Sequence, residues 1–200
     1  MKKPVLYIHG KDGSAAEADH YGPLFLDAEV IGLDYRAETP WEAKEEFLEL
    51  FDTVCGDCDE VILIANSLGA YLALNSLAEK KISKAFFISP VVDMEGLILN
   101  MMEQAGITET ELREKREIIT SFGETLSWGY LTYVRDHPFS WKTATKILYG
   151  ENDMITGKEA ITAFADRIGA DLTIMPNGEH WFHTEDQMRF LDNWLRDIND

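Results

Sequence analysis

The stretch VILIANSLGAYL, residues 61–72, places a serine between an unbroken apolar run and a segment of helical composition. Continuous apolar runs of this length are typical of parallel strands that are covered on both faces. Ser67 follows the run after one residue, Asn66, and the small residues Ala65 and Gly69 lie two positions before and after it. This spacing predicts a sharp strand-to-helix turn, a nucleophile elbow, although the usual pattern is Gly-x-Ser-x-Gly and alanine replaces the first glycine here.

Two interpretations of Ser67 fit this stretch. As a nucleophile, the serine needs a base, an acid and two N–H groups that stabilise an oxyanion, all supplied from elsewhere in the chain. A serine between a strand and a helix is also common as a plain helix N-cap. The partners of Ser67 therefore decide between the two interpretations.

The arrangement of strand followed by helix repeats along the whole chain. Six short apolar runs alternate with longer segments of helical period, and they span residues 5–8, 29–33, 61–65, 85–89, 145–149 and 171–175. They predict an α/β fold with six parallel strands between helices. Capping-box patterns predict helix starts at 39–42, 156–159 and 184–187, and apolar residues at helical spacing extend the last helix as far as Ile198.

About fifty residues with helical signals of their own separate the fourth and fifth runs, which is far longer than an ordinary connection. We therefore expect one domain over residues 1–200 with a helical cap inserted at about 93–140. Large apolar side chains of this cap could line a substrate pocket, although such residues at helical spacing are more often ordinary packing. These residues are Met101, Met102, Trp128 and Tyr130.

Composition limits the partners of the chain. The formal net charge is −18, from 36 acidic and 18 basic residues, so the surface should repel nucleic acids and anionic membranes. The first ten residues contain only a four-residue apolar run, which is too short for a signal peptide or a membrane span, so we expect a cytoplasmic protein. We expect it to be a monomer or a homodimer. Cys55 and Cys58 lack the further ligands of a zinc site, so we expect a reduced loop and no metal.

His9 and Gly10 come directly after the first apolar run, which is where an oxyanion loop is expected. Acyl transfer places negative charge on the former carbonyl oxygen, and two backbone N–H groups must point at it. By position these groups belong to Lys11 and Leu68. Gly10 lets the backbone approach closely, and His9 is interpreted as bracing the loop because the base must come from another direction.

The candidate acid and base each follow a later strand. Asp153 lies in the loop after the fifth run and could hold a histidine in the correct tautomer, while Asp93, after the fourth run, is a weaker rival. His180 follows a Gly-Glu turn after the sixth run and is the expected base. His183 lies beside a helix cap and is the second choice. The chain order Ser67, Asp153, His180, each beyond a strand, favours the nucleophile interpretation.

With these motifs the chain resembles a compact α/β hydrolase: His9-Gly10, the elbow at Ser67, Gly150-x-x-Asp153 and Gly178-x-His180 match over almost its whole length. The resemblance implies the strand order 2-1-3-4-5-6, numbered along this chain, and a ligand crevice at the carboxyl ends of the strands. It also implies two-step acyl transfer by Ser67, Asp153 and His180 with no cofactor.

The expected function is hydrolysis of a small or medium carboxylic ester. The fold hosts many reactions, so a peptidase or amidase, a thioesterase, and a binding protein without activity remain alternatives. A serine nucleophile argues against the dehalogenase branch of the fold. The acidic balance disfavours strongly anionic substrates such as phosphorylated acyl carriers.

Overall fold

A six-stranded parallel sheet is the main feature of the computed structural model, which describes residues 3–56 and 58–196. Its spatial order is β2-β1-β3-β4-β7-β8, in which β7 and β8 are the fifth and sixth strands of the sheet, and this confirms the order 2-1-3-4-5-6 that the resemblance implies. Within the described residues the strands are β1 Lys3–Ile8, β2 Ala28–Gly32, β3 Val61–Asn66, β4 Ile82–Ile88, β5 Glu117–Ile119, β6 Thr125–Ser127, β7 Thr145–Gly150 and β8 Asp171–Met175.

Helices connect the strands of the sheet, as the alternating pattern predicted. Those of the described residues are α1 Ala18–Tyr21, α2 Pro40–Cys55, α3 Ser67–Ser76, α4 Met94–Ala105, α5 Glu109–Lys115, α6 Trp128–Asp136, α7 Lys158–Ile168 and α8 Glu185–Arg196. Short 3-10 turns at Ala15–Glu17 and Gly22–Leu24 flank α1. None of the helices in the described part of the chain is long and apolar enough to cross a membrane.

The predicted helix starts at 39–42 and 184–187 are confirmed, and the one at 156–159 is wrong by one residue. Thr39 and Glu42 form a reciprocal capping box at the start of α2, with Pro40 as its first residue. The N-cap of α7 is Gly157 rather than Thr156, because the carbonyl oxygen of Gly157 accepts the first hydrogen bond of the helix, from the N–H of Ile161 at 3.1 Å. The Thr156 hydroxyl donates to the carbonyl oxygen of Pro90, at 3.1 Å.

The register of the sheet brings the loops after β1, β3 and β4 to one edge. Ile8 at the end of β1 pairs with Ala65, and Asn66 at the end of β3 pairs with Ile88. Ser67 therefore emerges between two neighbouring loops. Ligands of parallel α/β sheets bind at this carboxyl edge.

Apolar side chains cover the sheet, and α8 packs its apolar face against it. Phe86 of β4 meets the ring of Trp194 edge-on, with 5.8 Å between the ring centroids. Leu191 and Leu195 of the same helix are buried in the same cluster as Tyr7. Ile198, which the helical pattern also included, lies outside the described residues.

The chain divides into two compact units, one within Met1–Val92 and Ser140–Asp200 and the other Asp93–Phe139. The second unit contains α4, α5, α6 and the antiparallel hairpin of β5 and β6. Arg135 of α6 ties this unit together, since its guanidinium binds Glu95 at 2.6 Å and Glu109 through two bonds of 2.8 Å. The hairpin was not predicted, because strands of three residues leave too short a pattern.

Candidate active site

The turn at Ser67 has a backbone conformation that L-residues rarely adopt. Ser67 has φ +47°, in the left-handed region, and is the first residue of α3. A Cβ added to Gly69 would lie 2.1 Å from the carbonyl oxygen of His9, and one added to Gly10 would lie 3.1 Å from the Cβ of Ser67. Both positions therefore require close approach of the backbone, whereas Ala65 fits within β3 although it replaces the usual glycine.

The N-cap of α3 is Asn66, not Ser67. Asn66 has the extended backbone of a cap residue, with φ −103° and ψ 136°, but its side chain makes no capping hydrogen bond. The carbonyl oxygen of Ser67 accepts a hydrogen bond of 3.1 Å from the backbone N–H of Val91. The loop after β4 thus braces the turn, and the serine hydroxyl is left for another partner.

A chain of short hydrogen bonds joins Ser67, His180 and Asp153. Ser67 Oγ lies 2.7 Å from His180 Nε2, and His180 Nδ1 lies 2.7 Å from Asp153 Oδ2. The other carboxylate oxygen of Asp153 accepts backbone N–H bonds from Ile155 and Thr156, at 2.8 and 3.0 Å. The Asp153 side chain is wholly buried, so its charge is held by these three donors rather than by water. In this arrangement the imidazole can take a proton from the serine.

Backbone contacts hold the loops of Asp153 and His180 together. The N–H of Asn152 donates to the carbonyl oxygen of Gly178, at 2.7 Å. A Cβ added to Gly150 would lie 2.4 Å from the carbonyl oxygen of Glu179, so only glycine allows this approach. The loops that carry Asp153 and His180 are therefore held against each other just beyond the ends of β7 and β8.

The rival residues are engaged elsewhere. Asp93 is exposed and caps α4, accepting a hydrogen bond of 2.9 Å from the backbone N–H of Gly96. Nδ1 of His183 lies 2.7 Å from the carbonyl oxygen of Trp181, and its backbone N–H donates to Gln187 at 3.1 Å. Of the two histidines that the sequence offered, the structure thus brings His180 to the serine.

The loop after β1 is rigid at His9. The His9 ring stacks on Tyr35, with 4.3 Å between the centroids, and the Tyr35 hydroxyl donates to the His9 carbonyl oxygen at 2.8 Å. Lys11 lies on this loop and lines the same groove as Ser67. Leu68 is the second residue of α3, where a helical N–H has no acceptor within its own helix. These positions are consistent with the two predicted oxyanion donors, whose role stays a prediction.

A polar network beneath Ser67 was missed from the sequence. The Tyr7 hydroxyl donates to Glu17 at 2.5 Å and accepts from the side-chain amide of Asn66 at 3.0 Å. Burial, reinforced by the nearby Tyr21 and Glu17, raises the pKa of the Tyr7 hydroxyl far above its ordinary value. Tyr7 thus holds the side chain of Asn66, the residue before Ser67. Within the apolar run 5–8 it resembles an ordinary core residue, and only Asn66 in the elbow was a sequence signal.

Ser67 opens into a groove of about 790 Å³ within the sheet-containing unit. One part is polar, with Lys11, Glu17 and His20. Apolar side chains line the remainder: Ile88, Ile155, Trp181, Phe182, Met188 and Leu191. This volume matches the pockets that bind small organic ligands.

The four predicted pocket residues of the cap belong to the Asp93–Phe139 unit. Met102 is buried in α4, and Met101 on the same helix is half-buried. Trp128 and Tyr130 are half-buried in the first turn of α6. Their contribution to substrate binding remains a prediction.

The two cysteines are free thiols near the end of α2. Burial, together with the neighbouring Cys58, raises the pKa of the Cys55 thiol to about 11, which disfavours the thiolate that metal binding requires. Among residues 3–56 and 58–196, no group of three or more His, Cys, Asp or Glu side chains is arranged to hold a metal ion.

Solved structures resemble the chain over its whole length, whereas no protein-family model and no curated protein sequence matches it. The match to alpha/beta hydrolase domain-containing protein 10 from mouse covers 100% of this chain and 90% of the mouse chain, at 19% sequence identity and a TM-score of 0.78. The match to Est1E from Butyrivibrio proteoclasticus covers 100% of this chain and 88% of that protein, at 15% sequence identity and a TM-score of 0.73. The match to an esterase of Pyrococcus furiosus covers 99% of this chain and 80% of that esterase, at 20% sequence identity and a TM-score of 0.62. The resemblance predicted from the motifs is confirmed at the level of architecture: the chain has the α/β-hydrolase fold.

Proposed function

We propose that the chain is a serine hydrolase that cleaves small or medium carboxylic esters. The proposal rests on the continuous hydrogen-bond chain from Ser67 through His180 to Asp153, with its two contacts of 2.7 Å. Such a chain of nucleophile, base and orienting acid is the arrangement that acyl transfer needs.

Acylation begins when His180 Nε2 takes the proton of Ser67 Oγ and the oxygen bonds to the ester carbonyl carbon. The carbonyl oxygen becomes an oxyanion, which the backbone N–H groups of Lys11 and Leu68 stabilise. When the C–O bond breaks, the imidazolium gives its proton to the leaving alcohol. Asp153 stays ionised and stabilises the imidazolium. In the second step, His180 takes a proton from a water molecule, and the water oxygen bonds to the carbonyl carbon of the acyl-enzyme. The bond to Ser67 Oγ then breaks, the imidazolium returns the proton to Oγ, and the carboxylic acid is released.

The groove supports an ester of limited size. Its volume of about 790 Å³ suits a small organic molecule. The net charge of −18 disfavours strongly anionic acyl carriers. The Pyrococcus furiosus neighbour is an esterase, but this chain resembles it in fold only. A preference for esters must therefore be tested by comparing esters with amides and thioesters as substrates.

The experiment combines a fluorophosphonate probe with a panel of chromogenic esters and aminoacyl amides. Ser67→Ala should abolish labelling and lower kcat by ~10⁴-fold or more, because the nucleophile is removed. His180→Ala should lose a similar factor, and His183→Ala is the matched histidine control that should keep its activity. Labelling and ester turnover by Ser67→Ala at the wild-type rate would refute the proposal. Faster turnover of the amides would change the bond that is assigned.

A further inference from the structure

Large apolar side chains are exposed beside the candidate acid and base. Trp181, directly after His180, is 73% exposed, and Met154 and Ile155, directly after Asp153, are 93% and 42% exposed. We call these three residues the apolar lip. Single exposed apolar residues are ordinary, but three of them around one reacting centre indicate a binding surface.

The lip has a fixed position relative to His180. The hydrogen bond between His180 and Asp153 joins the two loops that carry it, and the bond from Asn152 to Gly178 joins them again. Ile155 and Trp181 both line the groove that contains Ser67. Ile155 and Trp181 are thus part of the reacting groove, and Met154 lies between Asp153 and Ile155 on the same loop.

The indole ring of Trp181 is held before any substrate arrives. It stacks on the ring of His183, with 4.7 Å between the centroids and 24° between the planes. Nδ1 of His183 lies 2.7 Å from the Trp181 carbonyl oxygen, and the backbone N–H of His183 donates to Gln187. A ring that is already ordered loses little entropy when a ligand packs on it.

We propose that the apolar lip binds the alcohol portion of the ester, so that the enzyme prefers esters of aromatic or long-chain alcohols. The inference rests on the proposed function. His180 must give its proton to the leaving oxygen, so that oxygen lies within hydrogen-bond reach of Nε2. The rest of the alcohol then extends from a point beside Trp181 and Ile155. An aryl group there can stack on the indole ring and shield apolar area from water.

The test compares two acetate esters with alcohols of similar basicity, benzyl acetate and methyl acetate. The acyl group is the same, so the ratio of their kcat/KM values reports on the alcohol alone. We expect wild type to favour benzyl acetate and Trp181→Ala to reduce that ratio about tenfold, the size of one aromatic contact together with its buried area. Trp181→Phe should keep most of the preference. Trp41→Ala, which removes a partly exposed tryptophan of α2 outside the groove lining, is the matched control that should leave the ratio unchanged.

An unchanged ratio in Trp181→Ala would overturn the lip assignment. The same conclusion would follow if Trp181→Ala changed the kcat/KM values only within a series of methyl esters that differ in their acyl chains, because the lip would then bind the acyl group. In both cases turnover of methyl acetate and probe labelling of Ser67 would still support the proposed function. Absence of labelling and of ester turnover in wild type would instead refute the proposed function, and the lip assignment with it. Probe labelling of each variant shows that its active site is folded.

Discussion

Replacing Asp153 by asparagine changes one carboxylate oxygen to an amide NH₂ group with almost no change in shape. The carboxylate accepts hydrogen bonds on both oxygens, from His180 on one side and from the N–H groups of Ile155 and Thr156 on the other. An asparagine has a single acceptor oxygen. One of the two sides must therefore face an NH₂ group in either orientation of the amide.

Each orientation has its own cost. If the NH₂ group faces His180, Nδ1 must accept, so the ring proton moves to Nε2 and the ring cannot take the proton of Ser67. The loss of rate in that case is ~10⁴-fold, or about 5.5 kcal/mol of activation free energy. If the NH₂ group faces the loop, the buried N–H of Thr156 and the partly buried N–H of Ile155 lose their acceptor, at about 1–3 kcal/mol of folding stability. We expect the rate loss to dominate, because two N–H donors hold the amide oxygen on the loop side.

Asp93→Asn is the matched control. Asp93 is an exposed N-cap, and asparagine caps a helix as well as aspartate does. This variant should retain wild-type kcat and stability, while Asp153→Asn should lose activity with chromogenic esters and keep most of its resistance to urea. Full activity in Asp153→Asn, or a larger loss in Asp93→Asn, would show that the acid has been assigned to the wrong residue.

Two further predictions concern groups away from the reacting atoms. Tyr7→Phe should lower the unfolding free energy by about 1–2 kcal/mol and kcat severalfold, because Asn66 loses its hydrogen-bond partner; urea unfolding and ester kinetics measure both, and wild-type values would contradict a positioning role. The unfolding free energy should fall as pH rises from 9 to about 11, because buried Cys55 keeps its proton while the unfolded chain ionises; the part of this loss due to Cys55 should be absent in Cys55→Ala, and an equal loss in both proteins would contradict it.

Fold and strand order could be predicted because the signal is repeated. Each of the six runs is a mainly apolar segment followed by a helical period, and the strand order is what the resemblance to the hydrolase fold implies. The predicted start of α7 was wrong by one residue, because the pattern at 156–159 does not show that the first helical hydrogen bond goes to Gly157 and not to Thr156. Prediction also failed for the hairpin of β5 and β6, whose strands are only three residues long.

The candidate site was predictable as a set of residue types but not as a set of contacts. Asp153 and Asp93 both follow a strand, so the sequence could rank them but not separate them. Their hydrogen bonds separate them, since one carboxylate meets His180 and the other meets the N–H of Gly96. The bond between Tyr7 and Asn66 spans 59 positions and has no local signature.

The backbone conformation of Ser67 helps to decide between the two interpretations of this residue, a nucleophile or a plain helix N-cap. A serine that only caps a helix has an extended backbone and directs its oxygen at an N–H of the first turn. Here Asn66 has the extended backbone, whereas Ser67 has φ +47° and its Oγ meets His180. A left-handed serine costs of order 1–3 kcal/mol and persists only where its surroundings enforce it. Gly10 and Gly69 supply that enforcement by close approach. A plain cap does not require this strain, whereas a nucleophile gains from it a hydroxyl raised above the sheet edge, which supports Ser67 in that role.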